Sequence, residues 1–254
     1  MDQKVWYMQH TLIKDSSGVT IIELLVVVSV LGILVGLLFG PFDDLFKANT
    51  KGLESIIQTT DTRGALRMIE RDITISSKFL PINTTDIITN TPYPALGWNW
   101  QGVGSPDPNR RVLITENYAT NSAGELVLDA ACNQKLNINY VYFVTNDTLY
   151  RRTLKTMPNP TGGTNASGSC VPTTIAQKRT CYSRAVSATY CEASDAKIVS
   201  GVKKFIVRYY ASSTSSVELT GPVGAKTIVL TLTTEARDKQ EATASLRITR
   251  MNDS

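Results

Sequence analysis

From Leu24 to Phe42 no residue is charged, and the apolar run that begins at Val19 holds a single charge, Glu23. At a helical rise of ~1.5 Å per residue this run reaches ~36 Å, more than the ~30 Å of a bilayer's hydrocarbon core. The pattern predicts one membrane-spanning helix over residues 19–42. A short polar leader, residues 1–18, lies on one side of it and the remaining chain on the other. An ordinary secretory signal has a shorter apolar stretch followed by small residues at a cleavage point. Here Gly40-Pro41-Phe42 makes a poor site of that kind, so the anchor is expected to be retained.

An ionised carboxylate in hydrocarbon costs at least ~2.5 kcal/mol, so Glu23 needs an account. It can snorkel to the headgroups, or it can meet a positive partner. The residues around it read Gly18, Val19, Thr20, Ile21, Ile22, Glu23, Leu24, Leu25. This resembles the cleavage and methylation motif of the type IV pilin-like family. The resemblance implies that a membrane prepilin peptidase cuts after Gly18 and that Val19 becomes an N-methylated first residue. The family usually has Phe at that place, and Val19 departs from it. A processed chain would carry an amine at Val19 and a carboxylate at Glu23. Each could be neutralised by a neighbour's opposite charge inside a low-dielectric bundle, which rewards assembly. The implied partners are other pilins, the peptidase, the inner-membrane assembly platform and the membrane itself. The implied orientation has the leader cytoplasmic and the carboxyl-terminal part outside, later in an extracellular filament.

Within the span, Gly32, Gly36 and Gly40 fall every fourth residue on one helix face, where a second helix could approach closely. Glycine is also common in membrane helices without that role. Pro41 lacks the N–H that would bond back to Leu37, so the helix is expected to kink or loosen there. By the resemblance, the stretch from Gly32 to Pro41 is partly unwound in assembled pilins.

Residues 43–80 change to an amphipathic pattern. Leu53, Ile56, Ile57, Thr60, Gly64, Met68, Asp72 or Ile73, and Phe79 follow a 3.6 period, with Arg63, Arg67, Glu70 and Arg71 on other faces. Gly52 and Gly64 weaken the helix, allowing a break near 49–52, and Pro81 ends it. Residues 81–110 read as a long loop containing Trp98 and Trp100, which either lid the core or form a contact surface. Period-two patterns then predict strands at 111–115, 125–129, 138–144, 148–154, 202–210, 226–234 and 243–250, with a hairpin turn at Asn146-Asp147. The expected fold is α+β: a long amino-terminal helix, membrane-spanning in its first half and amphipathic in its second, packed on an antiparallel sheet domain, residues 81–254. The segments TRGALRMIERDITISSKFL, VYFVTNDTLYRRTL, SGVKKFIVRYY and SLRITRMN also resemble the J-type pseudopilins of type II secretion and the W-type minor pilins. Residues 155–195 depart from that subgroup as a long Thr-, Ser-, Gly- and Cys-containing insertion.

Cys132, Cys170, Cys181 and Cys191 all follow the membrane segment, without CxxC spacing or a histidine cluster; the lone histidine, His10, is in the leader. Disulfides in an oxidising exterior fit better than zinc, and proximity pairs Cys181 with Cys191 and Cys132 with Cys170. No nucleophile–base pair, phosphate loop or metal motif is present, so neither catalysis nor a cofactor is expected. The net charge of +4 is not clustered. Arg151 and Arg152 sit side by side on a predicted strand, which should leave one facing solvent, and no nucleic-acid role is expected of them. The function read from these features is a minor pilin that primes or caps a filament. A secretion or competence pseudopilin shares the same motif. A membrane-anchored adhesin using Trp98, Trp100 and the Cys-containing loop is the alternative from another class.

Overall fold

The computed structural model describes residues 19–83, 98–102, 106–127, 136–155, 175–182, 191–236 and 239–251. The chain forms two units, one up to Lys51 and one from Gly52 onward. Helix α1, Ile21–Thr74, contributes to both. In the first unit the helix exposes its apolar side chains on every face, and none of its most hydrophobic window is buried. It meets the length and apolarity needed to cross a membrane. α1 runs through Pro41 and through Asn49–Gly52, so no break separates the apolar and amphipathic segments in the single chain.

In the second unit, the thirteen strands among the described residues build a five-stranded sheet, a four-stranded sheet and two small two-stranded pairs. They are β1 (Ser76–Phe79), β2 (Ile82–Asn83), β3 (Trp98–Asn99), β4 (Leu113–Tyr118), β5 (Leu136–Thr145), β6 (Thr148–Lys155), β7 (Thr180–Cys181), β8 (Ala193–Ser194), β9 (Ala196–Ser200), β10 (Val202–Tyr210), β11 (Glu218–Leu219), β12 (Thr227–Glu235) and β13 (Glu241–Thr249). One sheet has the order β1-β4-β5-β6-β9 and the other β11-β10-β12-β13, both antiparallel. The α+β expectation holds.

The chain passes from the first sheet to the second through Gly201, at φ 72°. Glu235 N–H donates to Gly201 O at 2.7 Å, and a Cβ at 201 would overlap the Glu235 carbonyl oxygen. Only glycine fits this crossing. At the β5–β6 hairpin, Asn146 and Asp147 both have positive φ (47° and 52°), the signature of the tight turn expected there.

The amphipathic helix ends at Thr74 rather than at residue 80. Ile73, Thr74 and Ile75 form a β-branched run, Ser76 Oγ donates to the Ile73 carbonyl at 2.7 Å, and Ser76–Phe79 pairs with β4. Of the helix face expected inside, only Asp72 and Ile73 are buried. Thr62, Ala65, Leu66, Ile69, Asp72 and Ile73 pack inward, while Leu53, Ile56, Ile57 and Met68 are exposed. The segment carries two apolar stripes, and periodicity alone does not say which one meets the sheet.

The main core joins Leu66, Ile69 and Ile73 of α1 to Tyr142 of the first sheet and to Phe205 and Leu230 of the second. A smaller core on the far side of the first sheet gathers Trp98, Val112, Ile114, Val141, Phe143 and Leu154. Trp98 is fully buried with its ring 4.7 Å from that of Phe143, and Trp100 lies edge-on to Tyr209 at 5.7 Å. Both tryptophans therefore lid core, and Trp98 offers no recognition surface. Of the expected strands, 125–129 is reduced, among the described residues, to an isolated bridge between Thr120 and Leu126. β1, β9 and the two-residue strands β2, β3, β7, β8 and β11 were not foreseen.

Candidate functional site

Val19 and Thr20 precede α1, and Thr20 is its N-cap, its carbonyl accepting the first helical bond from Leu24 N–H at 3.1 Å. Thr20 Oγ1 accepts from Glu23 N–H at 3.3 Å, and Glu23 Oε2 accepts from Thr20 N–H at 3.0 Å and from the Thr20 hydroxyl at 3.1 Å. This is a reciprocal capping box, which satisfies helix-end donors with the side chains of N-cap and N3. The carboxylate also sits at the positive end of the helix dipole. Sequence reasoning singled out Glu23 and passed over Thr20, although the Thr-x-x-Glu spacing was there to be read. Glu23 is therefore partly neutralised by its own chain, with Oε1 left without a partner among the described residues. The arrangement holds a carboxylate one helical turn from the place where cleavage would create an amine. Gly18, the residue before the cut, lies outside the described residues.

Gly32, Gly36 and Gly40 have nothing within 4 Å of where a Cβ would stand. The single chain leaves that face open, so any close approach there must come from another helix. Pro41 falls inside α1.

A second constellation sits on the first sheet. β6 buries two cations, Arg152 and Lys155. Asp195 holds the first: Arg152 Nη2 donates to Asp195 Oδ2 at 2.8 Å, with both side chains fully buried. Glu192 holds the second, accepting from Lys155 Nζ at 3.0 Å. Burial alone would push the Glu192 carboxyl up. The Arg179 backbone N–H, at 2.7 Å, and the Lys155 ammonium outweigh it and hold the group below the usual range.

These acids lie on a strap formed by residues 179–182 and 191–195, two segments that the Cys181–Cys191 disulfide ties together, with Cα atoms 5.7 Å apart. Thr180 Oγ1 bridges the strap to the sheet, donating to Asp195 Oδ1 at 2.7 Å and accepting from Thr153 N–H at 2.8 Å. The expected Cys181–Cys191 pairing is thus present; Cys132 and Cys170 lie outside the described residues.

The expectation that one of Arg151 and Arg152 faces solvent does not hold, because each found an acid. Arg151 Nη1 donates to Asp72 Oδ2 at 2.6 Å, and Tyr142 Oη donates to the same oxygen at 2.6 Å. Burial and the Asp72 charge push the Tyr142 hydroxyl well up. Asn117 Nδ2 donates to the Asp72 carbonyl at 2.8 Å, so the last turn of α1 is tied to the first sheet by a buried polar cluster. Asp72, Glu192 and Asp195 were missed as partners because their cations lie far away in sequence. Among the described residues no group of His, Cys, Asp and Glu is arranged to hold a metal.

Residues 13–39 match the model of the prokaryotic N-terminal methylation motif, the type found in type IV pilins. None of the curated proteins compared matches the chain. The motif supports a type IV pilin-like or pseudopilin subunit, and with the α+β fold it points to a structural role. It implies a substrate of prepilin peptidase that assembles with other pilins, and the apolar helix fits a single-pass membrane anchor.

Proposed function

We propose that this chain is a minor pilin of a type IV pilus-like filament. It is inserted with its leader cytoplasmic, cut after Gly18, N-methylated on Val19, and then drawn from the membrane to prime or cap assembly. The observation that carries this reading is the set Gly18, Val19, Thr20 and Glu23 inside the matched segment, residues 13–39. The free Oε1 of Glu23 can accept the amine of an incoming neighbour while Oε2 keeps its own cap. The glycine face at 32, 36 and 40 and the exposed stripe of Leu53, Ile56, Ile57 and Met68 supply apolar surface for neighbouring helices. A long insertion at 155–195 would crowd a lattice of identical subunits, which favours low copy number at the tip. The burial of Trp98 weighs against an adhesin built on that residue.

Glu23→Ala tests the assembly role. Processing and membrane insertion should continue while the amount of this subunit in sheared filaments falls; unchanged incorporation would overturn it. A pseudopilin of type II secretion is the second reading, since the segments on β5, β6, β10 and β13 resemble J-type pseudopilins as well as W-type minor pilins. Loss of protein export, with pili intact, on deleting the gene would favour that reading.

A further inference from the structure

Helix α1 runs beside β13 in the same direction, and the two are tied at both ends. Thr62 Oγ1 meets Thr234 Oγ1 at 2.6 Å, at the level of Ala242, and Met251 N–H donates to the Thr74 carbonyl at 3.2 Å. Between these ties lies an open groove of about 350 Å³, lined by Arg63, Leu66, Arg67 and Glu70 of α1 and by β13 from Thr243 to Leu246. Its β13 wall is a free strand edge. The even-numbered residues carry the ladder to β12, as the bonds from Arg250 N–H to Lys226 O and from Ala236 N–H to Gln240 O show. Antiparallel alternation then turns the N–H and C=O of Thr243 and Ser245 outward, into the groove. Edges of this length are commonly blunted by Lys, Pro or a bulge. β13 contains no Lys or Pro, and its register with β12 is unbroken.

The helix wall is basic. Arg63 and Arg67 are exposed, and neither has a carboxylate partner among the described residues. The acid that lines the groove, Glu70, lies toward its Thr74 end. Arg247 takes no part: it stacks on Tyr210 at 4.6 Å on the other face of the sheet, and its Nη2 donates to the carbonyls of Ser212 and Ser215.

We propose that this groove binds an extended segment of another protein that carries carboxylates at alternate positions, laid antiparallel on β13 as an added strand. The side chains opposite Ala242, Ala244 and Leu246 turn toward α1, where the two alanines leave room. Successive side chains on that face are ~6.8 Å apart. Arg63 and Arg67, one helical turn apart, are separated by ~6 Å along the axis. An acid-x-acid pattern therefore sets one carboxylate against each guanidinium, while the residue between the acids exchanges backbone bonds with Thr243 or Ser245. Because the bound segment is a single strand, its pairing places no demand on how its parent protein is oriented in the membrane.

The test uses the full chain in detergent and a fluorescein-labelled peptide, Thr-Val-Glu-Thr-Glu-Val-Thr, followed by anisotropy. The isomer Thr-Val-Glu-Glu-Thr-Val-Thr splits the acids between the two faces of the strand and should bind about fivefold more weakly. N-methylating the central Thr removes an N–H aimed at β13 and should abolish binding; N-methylating the second Glu removes one aimed away and should leave it within about twofold. Arg63→Glu with Arg67→Glu, both on the exposed helix surface, should weaken the first peptide about tenfold and favour its Lys-for-Glu counterpart. Equal binding of the two isomers, equal effects of the two N-methylations, no exchange of charge preference, or no saturable binding up to about 1 mM peptide would each overturn the proposal. Loss of binding on N-methylating either position would do so too, since a helical acidic ligand would give that result. The assay contains no filament, so its failure leaves the pilin reading intact.

Discussion

Opening the Cys181–Cys191 clasp should cost more than the loss of a crosslink, because the segment it anchors just beyond Cys191 carries Glu192 and Asp195, the counter-ions of two buried cations. The chain-entropy account of a loop with a sequence separation of 10 gives about 3 kcal/mol for the disulfide itself. Asp195→Ala leaves Arg152 buried between Trp98 and Phe143 with its carboxylate gone, and breaking a buried pair in this way costs about 3–5 kcal/mol. Either loss is a large share of a stability of order 5–15 kcal/mol. The two should not add. Once the strap is unclasped, Arg152 can reach water, so removing Asp195 as well should cost about 2 kcal/mol less than it does in the oxidised protein. The assay is urea unfolding of the full chain in detergent, followed by tryptophan fluorescence, for the Cys181→Ser/Cys191→Ser variant, Asp195→Ala, and the combination. Additivity within about 0.5 kcal/mol would refute the claim that the disulfide serves to hold Asp195 over Arg152.

Gly201→Ala should destabilise by about 2 kcal/mol or more, since φ 72° and the Glu235 carbonyl both exclude a Cβ; a urea midpoint within error of the parent would contradict this. The raised Tyr142 hydroxyl contributes stability that is complete below its ordinary value near 10 and is lost as pH rises above that. Tyr142→Phe should therefore lower the thermal midpoint at pH 7, by the loss of about 1–2 kcal/mol, and flatten its fall between pH 10 and 12. The lowered Glu192 carboxyl works in the opposite sense, stabilising above its usual range and losing that contribution as pH falls through its folded value. Glu192→Gln should flatten the acid side of the stability curve.

The order of elements was legible where one local signal sufficed. The apolar run, the Asn146-Asp147 turn and the alternation at 202–210 each stand as read, and β10 has the expected bounds. The α1 terminus was misplaced because the charged and apolar spacing of 71–80 suits a helix. The β-branched run at 73–75 and pairing of Ser76–Phe79 with β4 override it. The buried face of α1 was misjudged for want of any signal separating the Leu66 stripe from the Ile56 stripe. At the amino terminus, Glu23 was visible as an anomalous charge, while its bond to Thr20 needed attention to spacing. The partners of Arg151 and Arg152 depend on pairings across the fold, with Asp72 79 residues away and Asp195 43, which no local pattern encodes.

The central claim is that residues 1–18 are removed and the chain begins its working life at Val19. Intact-mass and amino-terminal peptide mass spectrometry of the protein, taken from cells with an active prepilin peptidase, measures this directly. The account predicts an amino-terminal peptide starting at N-methylated Val19, lost in a Gly18→Lys variant. A chain recovered with residues 1–18 still attached in those cells would contradict it.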